Sequence, residues 1–295
     1  MNSLGLFEKS TYGAGNRLVY SNLNEFDEAK MLQHHVGIKY VIEGCETYFL
    51  NKREFQVKGG QYLLINPAQV YSAHVHSESE VKGICLNLDT NIISDVFKNF
   101  TLEENELLDD PGFISAAALE VFEGIYDASE CPFGSFISDI ATNIENGDFG
   151  QPSSFDLFCD MSAKLLSGQK IIQRKVCQIN ARQWSTKKEL YKRVEHGKQI
   201  IENTFCRTID VESIASESCL SPFHFSRTFK QVYGLSPYQY MISKRIELAK
   251  LHLQSDNYSI SEIAGLTGFA DIHSFSKAFR KAQQQSPTEY KKLVT

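Results

Sequence analysis

Two hydrophobic rhythms divide the chain. From Gln33 to about Asp89, apolar residues fall in short runs rich in Val, Ile, Tyr and Phe. These runs predict strands over 38–43, 46–50, 54–57, 62–65, 71–76 and 81–89. Gly44-Cys45, Asn51-Lys52, Gly59-Gly60 and Asn66-Pro67 supply the turns. An edge strand is expected at 17–20 within a polar first segment. Six or more short strands at this spacing point to a small antiparallel barrel or jelly roll. Period-two alternation sends neighbouring side chains to opposite faces, without saying which face is inside.

Beyond residue 90 the period lengthens to that of a helix. A short helix is expected over 91–100, with Ile92, Ile93, Val96 and Phe97 on one side, then an acidic solvated loop over 101–110 and one more strand over 120–126. Helices over 133–145 and 154–167, the second stopped by Gly168, flank a turn containing Gly147, Gly150 and Pro152, which makes them an antiparallel hairpin. Residues 1–168 form one domain and 169–185 a basic linker. Residues 186–295 form a second domain, opened by a capping box at Thr186 and Glu189 and a helix burying Leu190, Val194 and Ile201.

The second domain contains one pattern twice. Phe225, Ser226, Phe229, Ser236, Pro237 and Tyr240 recur fifty positions later as Phe275, Ser276, Phe279, Ser286, Pro287 and Tyr290. Ile214-Ala215 and Ile263-Ala264 stand upstream of the two copies. In the first copy a short helix is followed by a turn, then by Ser221 as a cap and Pro222 as the first helical residue. That helix buries Phe225, Phe229 and Val232, ends at Gly234, and leaves Phe223, His224, Ser226, Arg227 and Lys230 outside. In the second copy Asp271 is the cap, Phe275 and Phe279 face inward, and Ile272, His273, Ser274, Lys277 and Lys281 remain outside. Residues 237–254 join the copies as one helix with Tyr240, Ile242, Ile246, Ala249 and Leu253 as its stripe. A helix, a tight turn and a second helix with a polar, basic outer face is a helix-turn-helix, whose second helix fits the major groove of DNA.

Ser221-Pro222-x-x-Phe225-Ser226-Arg227-x-Phe229-Lys230, Gly234-x-Ser236-Pro237-x-x-Tyr240, Ile263-Ala264 and Gly268-Phe269 resemble the AraC/XylS family of bacterial transcription regulators. The resemblance covers roughly 190–292 and implies two helix-turn-helix units on one rigid helix, binding successive major grooves of double-stranded promoter DNA. Two positions depart from the family pattern: His273 stands where Ser is usual, and Gln284-Gln285 replace a Gly-apolar pair. A non-glycine residue is disfavoured in the left-handed conformation, so the second reading helix is expected to end differently from the first. The run from His35 through Gly44, Tyr48, Phe55, 60–67 and Tyr71 resembles the cupin-type effector domain found at the front of such proteins. The resulting fold class is α+β: a cupin-like β-barrel with a helical hairpin, then an all-α domain. In this family such hairpins pair two subunits, which implies a homodimer.

Charge sharpens the division. Residues 1–170 carry 25 acidic and 11 basic side chains, while residues 171–295 carry 11 and 19. Only the back half is suited to phosphate. Seven scattered cysteines without a C-x-x-C pattern suit reduced thiols in a cytoplasm. No leader segment and no membrane span is expected from the apolar runs.

His34, His35, Glu43, His74 and His76 suggest a cupin metal site, but their spacing does not match one: two His are adjacent, and Tyr71 occupies the usual second-motif His position. No metal and no cofactor is therefore expected. A metal-free barrel interior suits a small, partly polar effector, with His35, Tyr48, Tyr71 and His74 as candidate lining. The alternatives are a ligand-independent regulator whose barrel serves dimerisation or a partner, with RNA polymerase among the candidates, and a metal-dependent cupin enzyme carrying a DNA-binding tail. No catalytic motif supports the latter.

Overall fold

The computed structural model describes residues 6–103, 120–149, 154–207, 210–255 and 258–294. It divides into two units, Met1–Gln173 and Arg174–Thr295.

The front unit is an eight-stranded antiparallel sheet. Its strands are β1 (Leu6–Tyr12), β2 (Asn16–Leu32), β3 (Val36–Glu43), β4 (Cys45–Leu50), β5 (Arg53–Lys58), β6 (Gln61–Ile65), β7 (Val70–Leu88) and β8 (Gly124–Asp127). Two of them are much longer than expected. The runs 71–76 and 81–89 form one 19-residue strand, β7, and the polar segment around 17–20 forms the 17-residue β2. Cross-strand pairing explains both: β2 and β7 pair from Arg17↔Asn87 to Leu32↔Val70, so alternation broken by polar residues is still carried by the ladder.

On its other side β7 pairs with β3 from Leu88 to Lys82, and with β4 from His74 to Tyr71. Sharing one strand folds β4–β5 over β3–β6. Val41, Leu63 and Ile65 from one layer then meet Tyr48, Leu50 and Val57 from the other. The opposite faces of β3 and β6, with Ile38, Tyr40, Tyr62 and Leu64, are covered by helices. Leu63-Leu64-Ile65 is continuously apolar because both faces of β6 are buried.

The covering helices are α2 (Pro132–Glu145) and α3 (Ser154–Cys177), preceded by α1 (Thr90–Glu103). Phe133, Ile137 and Ile140 of α2 and Leu157, Phe158, Met161 and Leu165 of α3 all enter the core they share with the sheet. Gly168 does not stop α3, which continues to Cys177 and makes helix of the first part of the expected linker. Gly168 does not adopt the left-handed conformation of a helix stop, and the cost of a glycine inside a helix, about 1 kcal/mol, is too small to break α3. The strand expected over 120–126 is shorter and begins at Gly124. Most of the expected acidic loop, 104–110, lies outside the described residues.

The back unit holds α4 (Trp184–Thr204), α5 (Val211–Glu217), α6 (Pro222–Tyr233), α7 (Pro237–Gln254), α8 (Ile260–Leu266), α9 (Ile272–Gln283) and α10 (Pro287–Val294). The expected capping box at Thr186 is not formed. Helix α4 starts three residues earlier, after Gln183, with no side-chain cap, and Glu189 pairs with Arg193 at 2.9 Å instead. Gly197 of α4 lets α6 approach, since a Cβ there would come within 2.4 Å of the Phe225 ring.

The two copies repeat atom by atom. Leu220 N–H donates to Ala215 O at 2.9 Å, and Phe269 N–H to Ala264 O at 2.9 Å. Phe225–Phe229 and Phe275–Phe279 both pack at 5.6 Å between ring centroids. Tyr240 then closes on Phe229 at 5.5 Å, and Tyr290 on Phe279 at 5.4 Å. Along α7 the buried residues are Pro237, Met241, Arg245, Ile246, Ala249 and Leu253; Tyr240 and Ile242 are only half-buried. Arg245 was not anticipated. Its guanidinium donates to Phe205 O at 2.6 Å and Arg207 O at 3.1 Å, satisfying carbonyls beyond the end of α4.

The expected difference at the end of the second reading helix does not occur. Gln284 takes φ 59, as Gly234 takes φ 74, and its N–H donates to Arg280 O as that of Gly234 does to Lys230 O. The hydrogen-bonded cap outweighs the steric cost of a side chain there, which is about 1–2 kcal/mol. Removing that cost with Gln284→Gly should stabilise the back unit by about 1 kcal/mol. Thermal unfolding of the full chain checks this, and an unchanged or lower midpoint would contradict it.

Candidate nucleic-acid interface and effector cavity

Each reading helix is aimed by its cap. In α6, Ser221 Oγ accepts the His224 N–H at 3.4 Å, and Pro222 takes the first position. In α9, the Asp271 carboxylate accepts the Ser274 N–H at 2.7 Å. That backbone hydrogen bond, foremost among its interactions, holds the Asp271 carboxyl below its ordinary range. With Phe225, Phe229 and Val232 fully turned inward, Phe223, His224, Arg227 and Lys230 are exposed on α6 and Ser226 is half-buried. On α9, Ile272, His273, Ser274, Lys277 and Lys281 are exposed.

Arg227 and Lys277 occupy equivalent positions, and among the described residues neither has an acidic partner within ion-pair distance. Phe223 is 77 % exposed, an unusual state for a phenylalanine that has nothing of its own chain to cover. Sequence reasoning missed Arg280. It is exposed and lies at the fifty-residue equivalent of Lys230, a signal the repeat itself carried.

Helix α7 joins the two helix-turn-helix copies over eighteen residues, about 27 Å at 1.5 Å per residue. Its start is fixed by a reciprocal capping box between Ser236 and Gln239, at 3.2 and 2.9 Å. An octet of exposed basic and polar groups on two capped helices, tied by one helix, can meet phosphates for affinity and base edges for sequence.

The front unit contains a half-open cavity of about 720 Å³. His35, Tyr48, Tyr71 and His74 all line it. Tyr48 and Tyr71 lie side by side, 6.2 Å between ring centroids. They flank two charged residues not singled out from the sequence, Lys39 and Glu46, each under 9 % exposed. Lys39 Nζ donates to Cys85 Sγ at 2.8 Å and stands 5.1 Å over the Tyr71 ring. Burial disfavours its charge, but the Cys85 sulfur and Tyr71 hydroxyl oppose this and keep it cationic. Glu46 accepts from the Tyr48 hydroxyl. Burial raises its pKa, opposed by that hydrogen bond and by Lys39. The signal for Lys39 was a cation within the apolar run Ile38 to Val41.

The other two lining histidines point to different partners. His35 Nδ1 lies 4.0 Å from Asp89 Oδ1, in space that Gly15 leaves open, where a Cβ would come within 2.7 Å of the imidazole. His74 turns to Asp27 across the sheet. Glu43, considered for a cupin metal site, is taken by Lys82 at 3.0 Å.

Two family models match the chain. One, described as an AraC-like ligand binding domain, covers residues 28–136; the other, a helix-turn-helix domain, covers 214–293. The probable transcriptional regulator LumQ of Photobacterium leiognathi is 28 % identical over 226 residues, 73 % of this chain and 84 % of that protein. The arabinose operon regulatory protein of Escherichia coli (strain K12) is 35 % identical over 82 residues, 28 % of either protein, so this chain spans under a third of that relative's length. The C-terminal domain of AraT, a response regulator from Geobacillus stearothermophilus, is 34 % identical and covers 34 % of this chain and 84 % of its own, with a TM-score of 0.33.

Arg227→Ala should lower affinity for the chain's target DNA by about 1–3 kcal/mol and relax preference at one base pair, as loss of a bidentate guanine contact does. Lys230→Ala should weaken all sequences alike and reduce the slope of log affinity against log salt by about 0.9. Fluorescence anisotropy across a salt series separates the two effects. An unchanged affinity in the first variant would remove Arg227 from the interface.

Proposed function

The chain belongs to the AraC/XylS family of transcription regulators, and on that basis we propose that a small molecule held in the 720 Å³ cavity of its front unit governs how the back unit binds a promoter. The observation that carries this is the floor of the cavity. Lys39, Glu46, Tyr48 and Tyr71 place one cation, one carboxyl group and two hydroxyls together in a buried place. Val19, Leu23, Phe26 and Met31 supply apolar wall. An effector with a hydrogen-bonding head and an apolar body fits that division. On the DNA side, Phe223, His224, Ser226, Arg227 and Lys230 enter one major groove, and Ile272, His273, Ser274, Lys277 and Lys281 enter the next. Arg280 joins the phosphate contacts of the second.

A homodimer belongs to the same proposal, because a twofold protein occupies paired sites. The inner faces of α2 and α3 are used by their own sheet, so a partner copy has only the outward face, where Phe155 is 46 % and Ile171 39 % exposed. Contact with RNA polymerase at the promoter completes the proposal. Cytoplasmic residence suits the seven unpaired thiols; among the described residues no helix is long and apolar enough to cross a membrane.

The test begins with a thermal-shift screen of small molecules against the full chain, followed by promoter titrations with and without each stabilising compound. A true effector changes promoter affinity by about 1–3 kcal/mol. Ala73→Phe, which fills the cavity from β7, should abolish the thermal shift and the coupling while leaving ligand-free DNA binding intact. Coupling that survives Ala73→Phe, or equal promoter affinity with and without every bound compound, would overturn the proposal.

A further inference from the structure

One cluster of ligating side chains stands apart from the DNA surface and the cavity floor. Asp27 on β2 is the direct cross-strand partner of His74 on β7. His76 lies two residues further along β7 and so shares the face of His74, about 7 Å away along the strand. His74 Nδ1 is 2.5 Å from Asp27 Oδ1, and His76 Nε2 is 3.1 Å from Asp27 Oδ2. The three donor atoms lie within 4.8 Å of one another. Donors bound to one ion at about 2.0–2.2 Å sit roughly 3–3.5 Å apart, so the side chains need only small rotations to share a centre.

We propose that Asp27, His74 and His76 form a site for a divalent first-row transition-metal ion. Two imidazoles and one carboxylate are ligands of intermediate hardness, suited to Zn²⁺, Co²⁺ or Ni²⁺ rather than to Ca²⁺ or Mg²⁺, which prefer all-oxygen shells. All three come from one face of a two-stranded ladder, so they take one side of the ion and leave positions for water or an exogenous ligand. The His74 ring is oriented by an edge-to-face contact with Phe49, 5.3 Å between centroids at 81°, which fixes the ligand nitrogen before an ion arrives. His74 and His76 alternate with Tyr71, Ala73 and Val75 along β7, so the ion would sit on the outer face of the strand whose inner face walls the cavity. Of the five residues that suggested a cupin metal site, the cluster uses His74 and His76 together with Asp27; His34, His35 and Glu43 take no part in it.

The site was hidden in the sequence because Asp27 and His74 are 47 residues apart, and their adjacency depends on the unexpected length of β2 and β7.

Calorimetry on untagged, chelator-treated full chain tests this with Zn²⁺, and with Co²⁺ for its visible absorption bands. One equivalent of Zn²⁺ should bind at about pH 7.5 and bind far more weakly at about pH 5.5, because an imidazole must be free of its proton to ligate the ion. His76→Ala and Asp27→Asn should each weaken binding by at least about tenfold, and His74→Ala/His76→Ala should abolish both the equivalent and the Co²⁺ bands. Circular dichroism and the unfolding midpoint establish that each variant is folded; His76→Gln, at a largely exposed position, serves if the alanine variants are not. Binding that persists in the double variant belongs to cysteines elsewhere and overturns the assignment, as does no binding to the native chain.

Discussion

Burial of two phenylalanines one helical turn apart decides what each reading helix can offer. Phe225 with Phe229, and Phe275 with Phe279, are wholly buried. Each pair is closed by a tyrosine from the following helix. At roughly 1.5–3 kcal/mol for each buried aromatic side chain, rolling either helix outward is too costly to compete. The remaining positions are thereby forced to the surface, and Arg227 and Lys277 reach solvent by exclusion. Gly197, the Ser221 and Asp271 caps and the Arg245 clamp all serve to keep those four rings in place.

That constraint is also why the back half was legible. Aromatic spacing, caps and the Ser-Pro starts are local signals, and each element they mark falls within a residue or two of its expected bounds. The misplaced features are those where a local rule met an opposing local fact. Thr186 to Glu189 has the composition of a capping box but lies inside a helix that starts at Trp184. Gln284 breaks the preference for glycine, yet its N–H finds the Arg280 carbonyl. The front half was legible in kind but not in detail, because strand length is set by the partner strand. Nothing near Glu25 or Asp27 announces that β2 runs to Leu32; the ladder with β7 does.

The candidate cavity residues show the same limit. Tyr48 and Tyr71 were accessible to inference because aromatic hydroxyls in a barrel suit a ligand. Lys39 and Glu46 were not chosen, although a charge buried within a strand is costly unless compensated. Here the compensation is visible: Cys85 and Tyr71 for the ammonium, Tyr48 for the carboxyl. Such a floor is electrostatically organised before anything enters, so an incoming molecule does not have to order it.

Strand β7 supplies a further lesson, in the currency of change over generations. It touches β2, β3 and β4 at once, and its odd and even positions serve opposite faces. A single inserted or deleted residue would exchange Tyr71, Ala73 and Val75 for their neighbours along a whole side of the cavity. Its register with β2 shifts twice: between Leu23 and Glu25 the extra residues lie on β7, at 77–80, and between Glu28 and Met31 the extra residue lies on β2; with β3 it shifts between Val41 and Glu43. Beside the cavity, from Tyr71 to Val75, the extra residue is taken by β2, while the surplus on β7 is set beyond His76. Descendants of this scaffold can acquire new chemical tastes by swapping alternate side chains between Tyr71 and Val75, with changes of length confined to the stretch beyond His76.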